Sequence, residues 1–268
     1  MWFFPVAVLL GVAQSLPVNL TDATSNLIDW GARAGEHQFP FMGFFENGED
    51  YLNGCGAVLI SRYHAITHNT CRSLIAIGGK ISFDFIKKEQ GYPAQEATVK
   101  EINQLTRYGR SPLAGPYDLL LFTFEEPGLP DILPVPIARN SYYHPYGEYS
   151  PLSIGYGYAY ANPNPGPVNY PPGTLNYAVA KYLDDRICKR QWHDYNYTAM
   201  CAGLKYGGDL LHRGDTGGSL VDSKDGKYLL RGIAAYTPQS HSGFYVRVSE
   251  FCDLFEEYTR GAMTCRED

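Results

Sequence analysis

The pattern of apolar and polar positions predicts structure at several places along the chain. Small and apolar residues alternate over residues 54–60, where the letters are GCGAVLI, and this pattern is typical of a buried β-strand. Apolar residues recur at helical spacing over residues 251–258, which predicts a short helix near the C-terminus. Proline and glycine crowd residues 162–167 and 171–173, so we predict a loop there, with a polyproline II recognition segment as the alternative.

Residues 1–15 have the pattern of a secretory signal peptide. An apolar run over residues 2–13 ends near the small residues Ala13 and Ser15, although no basic side chain precedes the run. The run is too short to cross a membrane. Residues 16–27 are polar and are interpreted as a short spacer. We therefore expect a secreted, extracellular protein.

Composition bounds the size of the protein and the chemistry of its partners. With 268 residues, 44% of them hydrophobic, the chain is long enough for one all-β domain with a sizeable core. A net charge of −6 disfavours nucleic acid and heparin-type polyanions as partners. The 22 tyrosines suit strands and binding surfaces alike. The sequence has no Cys-x-x-Cys or histidine-rich motif, and we expect neither a cofactor nor a metal.

The cysteines and two sequons fit a secreted chain. An even number of cysteines indicates disulfides in such a chain, and the six are Cys55, Cys71, Cys188, Cys201, Cys252 and Cys265. The triplets that begin at Asn19 and Asn196 have the Asn-x-Thr pattern of N-glycosylation acceptors. A sequon permits a glycan without requiring one, so both positions are candidates.

The most informative motif is Gly-Asp-Thr-Gly-Gly at residues 214–218. It resembles the Gly-Asp-Ser-Gly-Gly of the chymotrypsin/trypsin-like serine protease family, in which the serine is the nucleophile, and Thr216 takes that place here. Residues 59–71 resemble the family's strand and turn with the catalytic histidine just before a cysteine, and that place is held by Thr70. The stretch that begins at Asp118 resembles the strand with the catalytic aspartate. The resemblance therefore implies a triad of which only the aspartate is retained.

Further landmarks of this family follow in order between residues 28 and 260. They are Gly-Tyr-Gly at 155–157, Met-Cys-Ala-Gly at 200–203 and Phe-Tyr-Val-Arg-Val at 244–248. The resemblance implies an all-β fold in which two six-stranded antiparallel β-barrels flank a cleft and a helix follows at the C-terminus. Residues 261–268 would then form a tail.

The resemblance also bears on the disulfides. It implies the pairs Cys55–Cys71 and Cys188–Cys201. Cys252 and Cys265 then remain, and whether they pair with each other is left open. A further family disulfide often begins two residues before the Gly-Asp-Ser motif, but His212 holds that position here. The loops around the specificity pocket are therefore expected to be less constrained than in trypsin.

The two triad departures remove chemistry that acyl transfer requires. A hydroxyl nucleophile needs a base within hydrogen-bond reach to take its proton, and Thr70 cannot act as that base. Thr216 is then an alcohol of ordinary reactivity, although the oxyanion-hole amides implied at Gly214 and Thr216 can persist. His68 is an alternative base, but it lies two residues from the family position and is otherwise a polar turn residue. His64, in the preceding strand, is a more remote candidate.

The implied activation and specificity sites depart from the family as well. No basic residue precedes Ile28, where active members are cut after Arg or Lys, so Asp215 needs a partner other than the amine that this cut releases. The implied pocket positions are Leu210, Leu211, Tyr236 and Gly243. An apolar pocket cannot pair with Arg or Lys, so any side chain that enters is expected to be apolar or aromatic.

These departures favour a secreted, non-catalytic homologue that binds an extracellular protein, such as an active protease, its substrate or its inhibitor. Its role would be that of a cofactor, decoy or regulator of proteolysis. One alternative is a weak or atypical serine-type endopeptidase with Thr216 as nucleophile. Another is a structural or storage protein that self-associates through tyrosine-rich faces. We expect no nucleic-acid or membrane partner.

Overall fold

The structure is a computed structural model, and the residues it describes form two β-barrels. The described residues are 31–46, 54–84, 86, 95–107, 118–140, 150–157, 159–160, 169–170, 173–192, 195–204, 210–224, 226–235 and 242–267. The predictions for the signal peptide, the spacer, Asn19, the proline-rich stretch 162–167 and Tyr236 lie outside these residues.

The first barrel is built from the N-terminal half of the chain. The strands of this half are β1 (Ala32–Arg33), β2 (Met42–Phe45), β3 (Cys55–Ser61), β4 (His64–His68), β5 (Lys80–Phe83), β6 (Gln95–Leu105) and β7 (Leu119–Phe124). Strands β2 to β7 close into an antiparallel barrel in the order β2-β3-β4-β7-β6-β5. Strand β3 covers the stretch that the alternating pattern predicted, and all of its residues are buried.

The second barrel is built from the C-terminal half. The strands of this half are β8 (Ser150–Gly155), β9 (Ala159–Tyr160), β10 (Asn169–Tyr170), β11 (Asn176–Tyr182), β12 (Ala199–Leu204), β13 (Ser219–Lys224), β14 (Lys227–Ala235) and β15 (Ser242–Arg247). Six of them follow the order β11-β12-β15-β14-β13-β8, and β8 pairs with β11 to close the barrel. Strand β1 adds to β11, while β9 and β10 form a separate pair. The expected fold of two six-stranded antiparallel barrels is thus confirmed.

The helices of the described residues are short. They are α1 (Asp185–Gln191), α2 (Cys252–Tyr258) and two 3-10 helices, Asn69–Leu74 and Val248–Phe251. The Asp184 side chain caps α1 by accepting a hydrogen bond from the Arg186 amide at 2.8 Å. The predicted C-terminal helix is present, although its first residue belongs to the preceding 3-10 helix. Across the described residues, no helix has the length and apolar character needed to span a membrane.

Three disulfides hold these elements together. Cys55–Cys71 ties the start of β3 to the first 3-10 helix, and Cys188–Cys201 ties α1 to β12. Cys252 pairs with Cys265, so the pairing that the sequence left open joins α2 to the C-terminal segment. All six cysteines are bonded. Disulfide density of this kind is typical of extracellular proteins.

The two barrels meet along a seam that positions the candidate site. Met42 of the first barrel is fully buried, and its carbonyl accepts a hydrogen bond from the Tyr156 hydroxyl at 3.3 Å. The Gly56 amide donates to the Thr216 carbonyl at 2.7 Å, so a β3 residue is bonded directly to the motif at 214–218. A Cβ on Gly56 would lie 2.9 Å from the Gly218 nitrogen. The seam therefore depends on close backbone approach at a glycine.

A buried ion pair lies within the second barrel. The Arg231 Nε donates to the Asp222 carboxylate at 2.7 Å, and both side chains are almost fully buried. The Tyr182 hydroxyl also donates to this carboxylate, and Arg231 donates to the Asn140 carbonyl at 2.9 Å. Because the carboxylate and guanidinium are both paired, the pair can be retained in an apolar interior.

Candidate functional site

Thr216 lies just beyond a tight turn at residues 212–215. The Asp215 amide donates to the His212 carbonyl at 3.0 Å, and Gly214, the third residue, has a φ of +97°. These are the features of a type II turn, which requires a residue that tolerates positive φ at its third position. Among the described residues, neither the Gly214 amide nor the Thr216 amide has a hydrogen-bond acceptor. Both amides that the resemblance assigns to an oxyanion hole therefore keep their donor capacity.

The glycines after Thr216 fit the motif against both barrels. The Gly217 amide donates to the Ala234 carbonyl of β14 at 2.8 Å. Gly217 has a φ of +82°, and a Cβ there would lie 2.0 Å from the Gly56 oxygen. No side chain fits in that space, so this position needs glycine for both its φ and its neighbours. The backbone of the motif is thus fixed between the barrels even though its third residue is threonine.

The Asp215 carboxylate points back into the second barrel. It accepts hydrogen bonds from the Gly157 amide and from the His212 amide, each at 2.8 Å. A Cβ on Gly155 would lie 2.2 Å from Asp215 Oδ1, so the carboxylate lies directly against that backbone. Burial raises the pKa of Asp215 to about 6, although the two amide hydrogen bonds act in the opposite direction. Two backbone amides are therefore partners of the carboxylate that the sequence left in need of one.

Thr70 occupies the position that the resemblance assigns to the catalytic base. It lies in the first 3-10 helix and is exposed, and its hydroxyl is 2.7 Å from His68 Nδ1. The Thr70 amide also donates to this nitrogen at 3.3 Å, so Nδ1 is the acceptor and Thr70 Oγ1 the donor. In neutral His68 the ring proton is then on Nε2. Thr70 and His68 are therefore bonded to each other.

His68 was the alternative base, and the structure gives it a capping role. It is the last residue of β4, it is 2% exposed, and its side chain caps the 3-10 helix. A neutral imidazole has one nitrogen able to accept a proton, and in His68 that nitrogen faces Thr70. His68 is thus buried at the end of a strand rather than a polar residue on a turn. This geometry does not direct its basic nitrogen towards Thr216.

Asp118 is buried at the start of β7, next to the base position. Its Oδ2 accepts hydrogen bonds from Gln104 Nε2 at 2.9 Å and from Thr106 Oγ1 at 3.1 Å. The Asp118 carbonyl accepts from the Asn69 amide at 3.1 Å, which ties β7 to the turn that carries Thr70. The partners of this carboxylate are thus two side chains of the first barrel. Gln104 and Thr106 were not singled out, although their spacing of two residues is that of one strand face.

His64 belongs to the β3–β4 hairpin. Its Nδ1 is 2.7 Å from Ser61 Oγ, and both residues are buried. Burial lowers the pKa of His64, which keeps the imidazole neutral. The Ser61 hydroxyl also accepts a hydrogen bond from the Tyr63 amide at 3.2 Å, so this Ser–His pair closes the turn between the strands.

The pocket positions hold side chains that belong to the core of the second barrel. Leu210 and Leu211 are 6% and 7% exposed and pack in one apolar cluster with Tyr245. A Cβ on Gly243 would lie 2.9 Å from Leu211 Cγ, so the side chain of Leu211 occupies the space beside that glycine. The Tyr245 hydroxyl is bonded to Ser153 Oγ at 2.8 Å. At both implied pocket positions the leucine side chain is therefore part of the core of the second barrel.

The described hydrogen bonds of the three implied triad positions do not link them into a relay. Thr70 is bonded to His68, Asp118 is bonded to Gln104, and Thr216 is held through its backbone. A hydroxyl without a base can still lie beside oxyanion donors, but it does not become a nucleophile at neutral pH. A comparison with protein families finds that the trypsin family model matches residues 28–255.

Proposed function

This chain belongs to the trypsin family, and we propose that it is a secreted homologue that binds another protein without hydrolysing peptide bonds. One observation carries the proposal. At the base position the Thr70 hydroxyl donates to His68 Nδ1, and the Asp118 carboxylate is engaged by Gln104 and Thr106. The groups that would activate Thr216 are thus absent or bonded elsewhere.

The expected loss of activity is large. In serine proteases that lack triad members, the oxyanion hole and substrate binding still give roughly 10³–10⁴-fold catalysis over water. The amides of Gly214 and Thr216 support a residual activity of that order at most. Since typical enzymes reach 10⁶-fold or more, this level is too low for a working protease.

The proposed activity is recognition of an extracellular protein by the surface of the two barrels. Leu210 and Leu211 are buried and fill the pocket positions, so the partner need not insert a side chain there. The partner would be an active protease, its substrate or its inhibitor, and the chain would act on it as a cofactor, decoy or regulator. Three disulfides and the apolar run over residues 2–13 support secretion. The sequons support a glycoprotein.

Fluorophosphonate labelling of the purified protein tests whether Thr216 is a nucleophile. We expect no labelling of the wild-type chain at a probe concentration that saturates active trypsin. Labelling that is lost in Thr216→Ala would contradict the proposal. Crosslinking in the fluid into which the protein is secreted would then identify partners of the unlabelled chain.

A weak or atypical endopeptidase is the second candidate. One observation favours it, namely that the Gly214 and Thr216 amides have no acceptor among the described residues and remain able to bind an oxyanion. The same labelling experiment separates the two functions, because an endopeptidase that uses Thr216 must react with the probe.

Restoring two triad side chains is not expected to restore trypsin-like activity. In the Thr70→His/Thr216→Ser variant, the Asp118 carboxylate still has Gln104 and Thr106 as donors. Leu210 still leaves no carboxylate for an arginine side chain. Assays with arginine-containing peptide substrates measure this, and robust cleavage by the variant would show that the pocket is assigned wrongly.

A further inference from the structure

The sequon at residues 196–198 forms a compact turn between α1 and β12. Asn196 Oδ1 accepts hydrogen bonds from the Thr198 amide at 2.8 Å and from Thr198 Oγ1 at 2.6 Å. The Asn196 carbonyl accepts from the Ala199 amide at 3.1 Å. The side-chain oxygen of Asn196 is therefore used within the turn, while its Nδ2 takes no part in these bonds.

The residues of this turn differ sharply in exposure. Asn196 is half-buried and Tyr197 is 57% exposed, but Thr198 is 0% exposed. The Thr198 carbonyl also accepts a hydrogen bond from the Arg247 amide at 2.8 Å, next to β15. The folded turn therefore leaves Asn196 partly exposed but buries Thr198, whose hydroxyl the Asn-x-Thr acceptor requires.

The Cys188–Cys201 disulfide encloses this sequon. The two cysteines are separated by 13 residues, and the sequon lies between them. Cys201 belongs to β12, which pairs with β15, so the closed disulfide anchors one end of the segment in the sheet beside which Thr198 is buried. A chain in which this disulfide is open lacks that constraint.

We propose that Asn196 carries an N-linked oligosaccharide and that it is attached before the Cys188–Cys201 disulfide closes. The proposal rests on the secretory route given under the proposed function. In the transfer, Asn196 Nδ2 forms a bond to the anomeric carbon of an oligosaccharide linked through diphosphate to a lipid. The bond from that carbon to the diphosphate oxygen breaks, the lipid diphosphate leaves with the electron pair, and the amide loses one proton to the transferase.

The site is tested by translating the full chain in the presence of microsomes and treating the product with an endoglycosidase. We expect the glycan to slow the migration of the wild-type chain and endoglycosidase to reverse this shift. The part of the shift that is due to residue 196 should be absent in Asn196→Asp. This variant keeps an oxygen that accepts both bonds from Thr198, so it removes the acceptor nitrogen with the least disturbance of the turn. Thr198→Val, which matches the threonine in shape, should abolish the same glycan; any glycan on Asn19 remains in both variants.

Protection from added protease separates failure of the glycan on Asn196 from failure of the secretory route. A chain that is protected but has the same mobility as Asn196→Asp overturns the glycan on Asn196 and leaves secretion intact. A chain that is not protected overturns the secretory route and this inference together, because it never reaches the transferase.

The order of events is tested by a pulse and chase with thiols trapped by an alkylating reagent. We expect glycan to appear first on chains in which Cys188 and Cys201 are alkylated. Any chain that closes this disulfide without a glycan should stay unglycosylated throughout the chase. Conversion of such closed, unglycosylated chains into glycosylated ones would show that the folded turn accepts the sugar, which overturns the proposed order.

Discussion

The carboxyl group of Asp215 allows a quantitative test of how the turn before Thr216 is held. It is bonded to the amides of Gly157 and His212, and burial raises its pKa from 3.8 to about 6. We therefore expect this group to make the protein less stable as the pH rises from about 4 to about 6. An ion pair at Asp215 would have the opposite effect.

The sign follows from the order in which the two states lose the proton. Well below pH 3.8 the carboxyl is protonated in the folded and unfolded chains alike. As the pH rises, the unfolded chain ionises first and is stabilised relative to the folded chain. Above about pH 6 the folded carboxyl is also ionised, and the full cost is present. A pKa that rises from 3.8 to about 6 corresponds to about 3 kcal/mol, which is an upper bound because Asp215 retains some exposure.

Urea unfolding of the wild type and of Asp215→Asn over this pH range measures the effect. The asparagine amide places an N–H group opposite one of the two backbone donors, so the variant has its own pH-independent cost. The informative quantity is the difference in unfolding free energy between the two proteins. We expect this difference to shift in favour of the variant by up to about 2 kcal/mol between pH 4 and pH 6.5, because part of the full effect is already present at pH 4.

A shift in favour of the wild type as the pH rises would refute this reasoning. It would mean that the pKa of Asp215 lies below its usual range, because the two amide hydrogen bonds outweigh burial or because a cation, such as the amine of a chain cut before Ile28, pairs with the carboxylate. A difference that does not change with pH would mean that the pKa of Asp215 is the same in the folded and unfolded chains, which contradicts the expected effect of burial. The measurement therefore also tests the expectation that activation by cleavage does not occur.

Two further changes test the packing around the site, and urea unfolding measures both. Arg231→Met leaves Asp222 buried without its cation and should lower the unfolding free energy by about 3–5 kcal/mol. Adding Asp222→Leu should recover much of that loss. A double variant as unstable as the single one would contradict this. Gly157→Ala places a Cβ 2.5 Å from Asp215 Cγ and should cost about 1–3 kcal/mol. In the control Gly203→Ala, the nearest atom to the new Cβ is 3.5 Å away, so the unfolding free energy should change by no more than about 0.5 kcal/mol. Equal losses of stability in the two variants would refute the clash at Gly157.

The architecture could be predicted from the sequence because the motifs that indicate it are local and come in a fixed order. The apolar run of β3 and the motif at 214–218 each mark one barrel, and the glycines of that motif are required by backbone contacts at the seam. The pairing of Cys252 with Cys265 was not accessible in the same way. It depends on where the segment after α2 returns, and the spacing of two cysteines does not determine that return.

The hydrogen-bond partners of the site residues were harder to predict from the sequence because they depend on strand register. Asp118 meets Gln104 because β6 and β7 pair with a register shift between Val99 and Glu101, and a shift of this kind has no clear sequence signal. The burial of His68 depends likewise on the 3-10 helix that follows β4. The resemblance assigned residues to the triad positions, whereas the structure was needed to show what each of them is bonded to.

The polar groups that the missing base would have contacted are satisfied within the first barrel. The Asp118 carboxylate has the donors Gln104 and Thr106, and the Thr70 hydroxyl has His68 Nδ1 as its acceptor. A buried polar group left without a partner costs about 1–3 kcal/mol, so these replacements remove a penalty that loss of an imidazole alone would impose. A histidine restored at position 70 would have to compete with Gln104 and Thr106 for the carboxylate, while His68 would lose its hydroxyl donor. The observed arrangement is therefore stabilised by its own hydrogen bonds, which is why two substitutions are not expected to give a working protease.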